Sequence, residues 1–488
     1  MIGRSFDVDV LAEVTGADVD ALLDEIDLAV ACGTIAEGDR PGRFRFTHVL
    51  VRDTIAAALN SLRRARLHGR IADAIESLHG TEPGAASDVA FHRVEARSVI
   101  GVGRALDALR TAAAGAASTG ALAGAESMHR RRIALASELP DGGERIGQEQ
   151  QALIDLTEVI VAHRGYQSDD LVPIHDRLQQ LAEGSSPEVA VQTAIGKFVF
   201  HITRGELDEA DTAHARLSAM LADAPGPMPR LIVEHSGGIL ALHHGTVGRA
   251  LERFDMCEDW LAIVDPGDSG TVVYPGLGQS VVVSHTNFSS VGQWLAGDTA
   301  VSNSTLDRGE AAARRARIPY SIAFALTFRA YLAAMRHDVD RAVVEAGRAA
   351  AVCEDHGFGF LASMVAVAEA WSRAAQGDAA VVDTLDSIDA LLVKGQTGGF
   401  FTVSWGLIAD AHRRLGRVDA AREVLGRALE FSAGGGEMIW RPELERLWWL
   451  LDDERDGTEP LRRAAAMAER LGLVALGRRC DATLAEQS

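Results

Sequence analysis

The feature that most constrains this chain is a spacing. Helix-like runs close on a glycine, a short polar turn follows, and a residue that is usually small falls five positions later. The instances are STGALAGA at Gly120, AHRGYQSDD at Gly165, ITRGELDEA at Gly205, LHHGTVGRA at Gly245, WLAGDTAVS at Gly297, AAQGDAAVV at Gly377 and RRLGRVDAA at Gly416. AMRHDVDRA keeps the pattern with His337 in the glycine place. Successive turns lie 45, 40, 40, 52, 40, 40 and 39 residues apart. A period near 40 is the signature of a stacked helical-hairpin array. Glycine tolerates the left-handed conformation that ends the first helix, and the small residue lets the second approach closely. Neither helix buries its apolar face alone, so the hairpins must stack into a solenoid. The 52-residue gap holds DPGDSGTVVYPGLG, read as a longer inter-repeat loop that enters a helix near Gln279.

Composition agrees with an all-α fold, since there are only 13 prolines and 5% aromatic residues in 488. With 48 basic against 69 acidic residues, the net charge of -21 argues against a surface that coats polyanions. No apolar run reaches the roughly 20 residues that a membrane helix needs. The four cysteines are scattered without a CxxC pair and no signal peptide opens the chain, so a cytoplasmic protein with reduced thiols is expected.

Residues 1 to 80 depart from the repeat. SFDVDVLAEVTG and DVDALLDEIDLAVACG predict two short helices, closed by Gly16 and Gly33. TIAE, GDRPG and RFRF then predict a β-hairpin. A third helix is expected from about Val49, with Val51, Ile55, Leu59 and Leu62 on one face. Helix, helix, hairpin, helix is a winged-helix outline, with a boundary at TEPGAAS. The division is therefore a winged-helix-like domain over 1–80 and a helical-repeat array over 81–488.

Motifs for chemistry are sparse. Lys197 in AIGKFVF lacks the glycines of a phosphate-binding loop, and GDSGT reads as a loop rather than a nucleophile turn. No metal site is expected: His235 and His243 stand two helical turns apart with no acid suitably between them, and with His244 they read as structural. Arginines crowd residues 40–70, whereas residues 1–39 are acidic. Because the second helix, where a DNA-reading winged helix would make base contacts, is acidic, the arginines are expected to pair with acids and DNA is not expected as a partner.

MIGRSFDVDVLAEVTG, FRFTHVLVRDTI with RRARLHGRIADAIE, DVAFHRVEA, and GEMIWRPELERLWWLL together resemble the signal-transduction ATPases with numerous domains, of the LuxR- and adenylate-cyclase-associated bacterial kind. The resemblance implies a winged helix followed by a tetratricopeptide-like array within a regulatory system. No catalytic residue is expected in this chain, which lacks a phosphate-binding loop, a hydrolase motif and a metal site, and the solenoid surface suits a protein or small-molecule effector. The resemblance also implies an ATPase or cyclase domain encoded nearby. The family carries its phosphate-binding ATPase upstream, and Met1 falls where it has Val. A truncated product, or a start assigned inside a longer gene, is expected. FTHVLVRD resembles the superfamily's Met-His-Asp motif, which implies that His48 contacts an ADP phosphate when an ATPase domain is present. No cofactor is otherwise expected. The alternatives are a DNA-binding transcriptional regulator acting through the winged helix, or an ATP-binding regulator once the upstream domain is restored.

Overall fold

The computed structural model describes residues 5–48, 50, 54–55, 57–80, 84–182, 187–275, 277–394, 400–452 and 457–486. The chain divides into two compact units, Met1–Leu156 and Thr157–Ser488.

In the first unit, β1 (Ser5–Asp7) leads into α1 (Val8–Thr15), α2 (Val19–Ala31), β2 (Ile35–Glu37) and β3 (Arg43–Phe46). The strands form an antiparallel sheet of order β1-β3-β2, with Phe6 opposite Phe44 and Ile35 opposite Phe46. Strand β1 is an addition to the expected hairpin. The acids here cap helices: Asp7 accepts from the Asp9 amide and Asp18 from the amides of Asp20 and Ala21, satisfying otherwise orphaned donors. Phe6, Val8, Leu22, Ile26 and Phe44 make the core.

The expected third helix needs correction. Backbone at 58–60 leaves helical geometry, and Asn60 caps a new helix, α3 (Ser61–His79), by accepting from the Arg63 amide at 2.8 Å. Leu59 and Leu62 therefore do not share one helix face, and Ile55 and Leu62 are exposed. Val51 lies outside the described residues, as do Thr81, Glu82 and Pro83 of the expected boundary. Helix α3 packs on α4 (Ala85–Glu95), where buried His68 and His92 meet through their Nδ1 atoms at 2.7 Å. The histidines of RRARLH and AFHRVEA thus hold two helices together. After α5 (Arg97–Ile100), α6 (Val102–Ser118) and α7 (Leu122–Ala136) make the first hairpin, and α8 (Gly143–Arg164) follows.

Hairpins continue through α9 (Leu171–Ala182), α10 (Pro187–Arg204), α11 (Leu207–Leu221), α12 (Pro227–His243), α13 (Val247–Val264), α14 (Val281–Leu295) and α15 (Thr299–Ala316). They extend through α16 (Pro319–Met335), α17 (Val339–His356), α18 (Gly359–Ala375), α19 (Val382–Val393), α20 (Phe401–Arg414) and α21 (Val418–Ala433). Helices α22 (Arg441–Leu451), α23 (Glu459–Leu471) and α24 (Val474–Ala485) close the chain as described. Every residue read as a turn from the spacing, from Gly120 to Gly416, lies between two helices and has a positive φ. His337 does so at 60°, a conformation that disfavours side chains.

The small residues behave as expected at six of the eight turns: Ala125, Ala210, Ala250, Ser302, Ala342 and Ala421 are fully buried. Asp170 is exposed, because the turn after Gly165 is longer and Leu171 takes the buried place. After Gly377 a short 3-10 turn, Ala379–Val381, puts Val381 inside instead of Val382. The longer loop ends where Ser280 caps α14, and Val273 bridges back to Ser280.

Within the second unit the array curls on itself. The Met438 amide donates to the His243 carbonyl at 2.8 Å, 195 residues away in sequence (438 minus 243), and the Trp294 and Trp440 rings lie 6.1 Å apart. The array leaves space between the first helices of its hairpins.

Candidate functional site

That space is a chamber of about 90 Å³, walled by the first helices of five successive hairpins, α10, α12, α14, α16 and α18, with Tyr166 and Phe400. Its surface is predominantly apolar, with a large aromatic share. Phe288, Phe324 and Phe328 meet edge to face at 5.1 Å, and Phe400 stacks on His243 at 4.9 Å. Edge-to-face packing puts a positive ring edge on a negative ring face, so these walls are fixed in orientation.

A few polar groups punctuate the lining. His243 Nδ1 faces Glu437 Oε1 at 3.0 Å, and Glu437 also accepts from the Thr402 amide and hydroxyl. Glu437, fully buried, is the glutamate of GEMIW, so the signature residue fastens the chain's late segment against the chamber wall. The Tyr166 hydroxyl accepts from Gln279 Nε2, and burial pushes this phenol well up, keeping it neutral. A chamber with apolar walls and a few fixed polar groups is the usual form of a small-molecule site.

At one side stand His235 on α12, Cys257 on α13 and His285 on α14, all buried. One ligating atom from each lies within 4.8 Å of the other two. His235 Nε2 is hydrogen-bonded to Ser284 Oγ at 3.0 Å, and His285 Nε2 to Glu258 Oε1 at 2.8 Å. The Nδ1 atoms of both rings are buried with no hydrogen-bond partner among the described residues, as is the Tyr274 hydroxyl. Tyr274 stacks on His235 at 5.3 Å. Burial holds His235 well below the usual imidazole range, with His285 adding to the effect, and pushes the Cys257 thiol up. Burial would raise the Glu258 carboxyl, but hydrogen bonds from His285 and Arg308 bring it down to about 2. Arg308 spans Glu258, at 2.8 Å to both oxygens, and Asp268 of the long loop, at 2.7 and 3.0 Å.

The residues singled out in sequence are dispersed. His244 pairs with Asp211 at 2.9 Å and is not part of the cluster, nor does His243 join His235 there. Lys197 bonds Gln179, and Ser269 of GDSGT gives its hydroxyl to Asp265 at 2.5 Å, an ordinary loop contact. His48 is exposed after β3, beside Thr47, whose hydroxyl donates to Gly33 at 2.7 Å. Most of the residues after it in the motif, Val49 and Val51 to Asp53, lie outside the described residues. Arg40 pairs with Asp7 at 3.5 Å and Arg43 approaches Asp39 at 3.9 Å, while Arg63, Arg64, Arg66 and Arg70 are exposed on α3. Spacing along a single helix does not reveal the chamber or its cluster, because their residues come from different helices. A usable signal existed: His235 lies ten residues before Gly245 and Cys257 twelve after it, and near-symmetric positions about a hairpin turn face each other.

The fold defines a tetratricopeptide-like helical-repeat solenoid, the class of scaffold that binds partners along its inner face. Among solved structures the chain is similar to a Rap protein complexed with competence and sporulation factor, at 12% identity and a TM-score of 0.47, covering 79% of this chain and 99% of that one. It is similar to a signal-transduction ATPase with a tetratricopeptide repeat sensor from Pyrococcus horikoshii, at 11% and 0.45, covering 92% of this chain and 63% of that one. It is also similar to the APC/C hetero-tetramer Cut9-Hcn1, at 12% and 0.36, covering 94% of each chain. No protein-family profile and no curated protein matches the sequence. Among the described residues no helix is long and apolar enough to cross a membrane.

Proposed function

We propose that this chain is a non-catalytic regulatory sensor in a signal-transduction ATPase or transcriptional-regulator system. A winged-helix-like domain over 1–80 precedes the array over 81–488, and the array takes up a small, largely apolar effector in the aromatic chamber. The observation that carries the reading is that five successive hairpins contribute to one lining. A ligand touching all five favours one mutual arrangement of the hairpins, and only such differential contact shifts an equilibrium. His48 belongs to this reading as the contact for an ADP phosphate when an ATPase domain is present.

The test is titration of the purified chain with a series of apolar aromatic probes, followed by calorimetry and thermal melting. Saturable binding at one site per chain, lost in Ile239→Trp with that variant's melting temperature retained, is expected. Absence of saturable binding, or equal binding by the filled variant, overturns it. The four exposed arginines on α3 favour a second reading, DNA binding; unchanged mobility with duplex DNA at low salt removes it.

A further inference from the structure

We propose that His235, Cys257 and His285 form a buried site for one transition-metal cation of the zinc class, held by the two Nδ1 atoms and the cysteine sulfur. A buried polar atom without a partner forfeits its hydration with nothing in return, and native interiors contain few. Here two such nitrogens belong to residues that share one cluster with a thiol.

The proton positions follow from the outer partners. An ionised carboxylate only accepts, so His285 Nε2 carries the proton towards Glu258, and in the neutral ring Nδ1 is a bare lone pair. His235 does the same through Ser284 when its Nε2 is the donor. A ring nitrogen fixed by a carboxylate or hydroxyl while its opposite nitrogen is free is the arrangement that orients metal-binding histidines. The fully buried Cys257 thiol is held protonated by its surroundings. On coordination its proton leaves to solvent and a sulfur–metal bond replaces the S–H bond.

Distances and charge point the same way. Tetrahedral zinc with bonds of about 2.0–2.3 Å spaces its ligands roughly 3.3–3.7 Å apart. One ligand atom from each of the three residues lies within 4.8 Å of the others, close to that spacing. The charges of the thiolate, Glu258 and Asp268 balance those of a divalent ion and Arg308. Nitrogen and sulfur donors exclude a preference for calcium or magnesium, which take oxygen. The Tyr274 hydroxyl, on a ring stacked on His235, is likewise buried without a hydrogen-bond partner among the described residues. The site belongs to α12, α13 and α14, and it holds whether or not the chamber takes an effector.

The full chain, stripped with chelator, is titrated with Co(II) and Zn(II) alone. One ion per chain, with a thiolate-to-cobalt charge-transfer band, is expected. Cys257→Ser should lose that band, and both Cys257→Ser and His285→Gln should weaken zinc binding about a hundredfold or more. His244→Ala, at the exposed pair nearby, should bind like the parent. The wild-type spectrum decides the matter even where a variant fails to fold: no thiolate band overturns the proposal. Equal zinc affinity in folded Cys257→Ser and His285→Gln also overturns it, since the ion would then sit on surface groups.

Discussion

Two buried polar clusters in the same solenoid unit differ in one respect. Around Glu443 every charge has an opposite charge close by. Arg446 makes a two-point contact with Glu443 at 2.7 and 2.9 Å, and Arg479 lies at 3.4 Å, with its guanidinium over the Trp294 and Trp440 rings. Asp410, beside it, accepts from the Trp371 indole at 2.9 Å and from Arg413 and Arg414. Around Cys257 the outer charges are paired but the inner donors are not. The first cluster pairs its charges from its own residues, with Arg479 Nη1 held by the ion pair alone and not by a hydrogen bond, and reads as structure. The second is complete only with something added, and that difference separates a scaffold from a site.

The sharpest way to break the comparison is to make the complete cluster incomplete. Burial alone would raise the Glu443 carboxyl, but Arg446 and Arg479 pull it down to about 2. Glu443→Ala leaves two buried guanidinium groups without their shared partner, and losses of about 3–5 kcal/mol are usual for such a break. Urea denaturation, followed by fluorescence of the tryptophans around this cluster, should show that unit's transition moved to much lower urea. A transition unmoved within error would mean that the network contributes no stability.

A smaller effect tests the edge of the same cluster. His337 occupies a left-handed turn, stacks on Trp371 at 5.3 Å, and faces Glu443, Asp410, Arg414 and Arg479. Burial, with Arg479 nearby, pushes it from 6.5 down to about 4. Between those values the unfolded chain binds a proton that the native protein does not. Stability is therefore full above pH 6.5 and falls as pH drops towards 4, by at most roughly 3 kcal/mol for this group. His175 shares the window, so the measurement is a difference between wild type and His337→Gly. At pH 7 the variant should melt close to wild type, relief of the turn offsetting the lost stacking. At pH 4 it should be the more stable of the two. A difference that stays flat with pH would show that His337 does not titrate in that window.

The contrast also explains what the chain discloses as a sequence. The turns were legible because backbone sterics put glycine at left-handed positions, and the repeat multiplies that local signal across eight turns. The buried alanines were legible because close helix approach admits little else. The helix start at Asn60 is hidden in the sequence because apolar residues at helical spacing run on across this capping residue. The chamber and the clusters belong to another level: Glu437 meets His243 from 194 residues away, and His285 meets Cys257 from the next hairpin. Such meetings depend on how tightly the array coils, which no local pattern encodes.

The smallest effect probes the incomplete cluster from outside. Glu258 is adjacent to Cys257 in sequence, but its carboxylate bonds His285 Nε2 rather than joining the inner donors. Glu258→Gln keeps the side chain's size and removes its charge. It weakens the grip on the imidazole proton, making Nδ1 less basic, and leaves Arg308 with Asp268 alone. If the inner atoms hold a cation, its affinity should fall tenfold to a hundredfold, the range for outer partners of ligating histidines. The stability of the chelator-treated protein should move little, because Glu258 is nearly half exposed and its bond to Arg308 is partly screened. The same stability loss with and without zinc would place Glu258 with Glu443, as structure and nothing more.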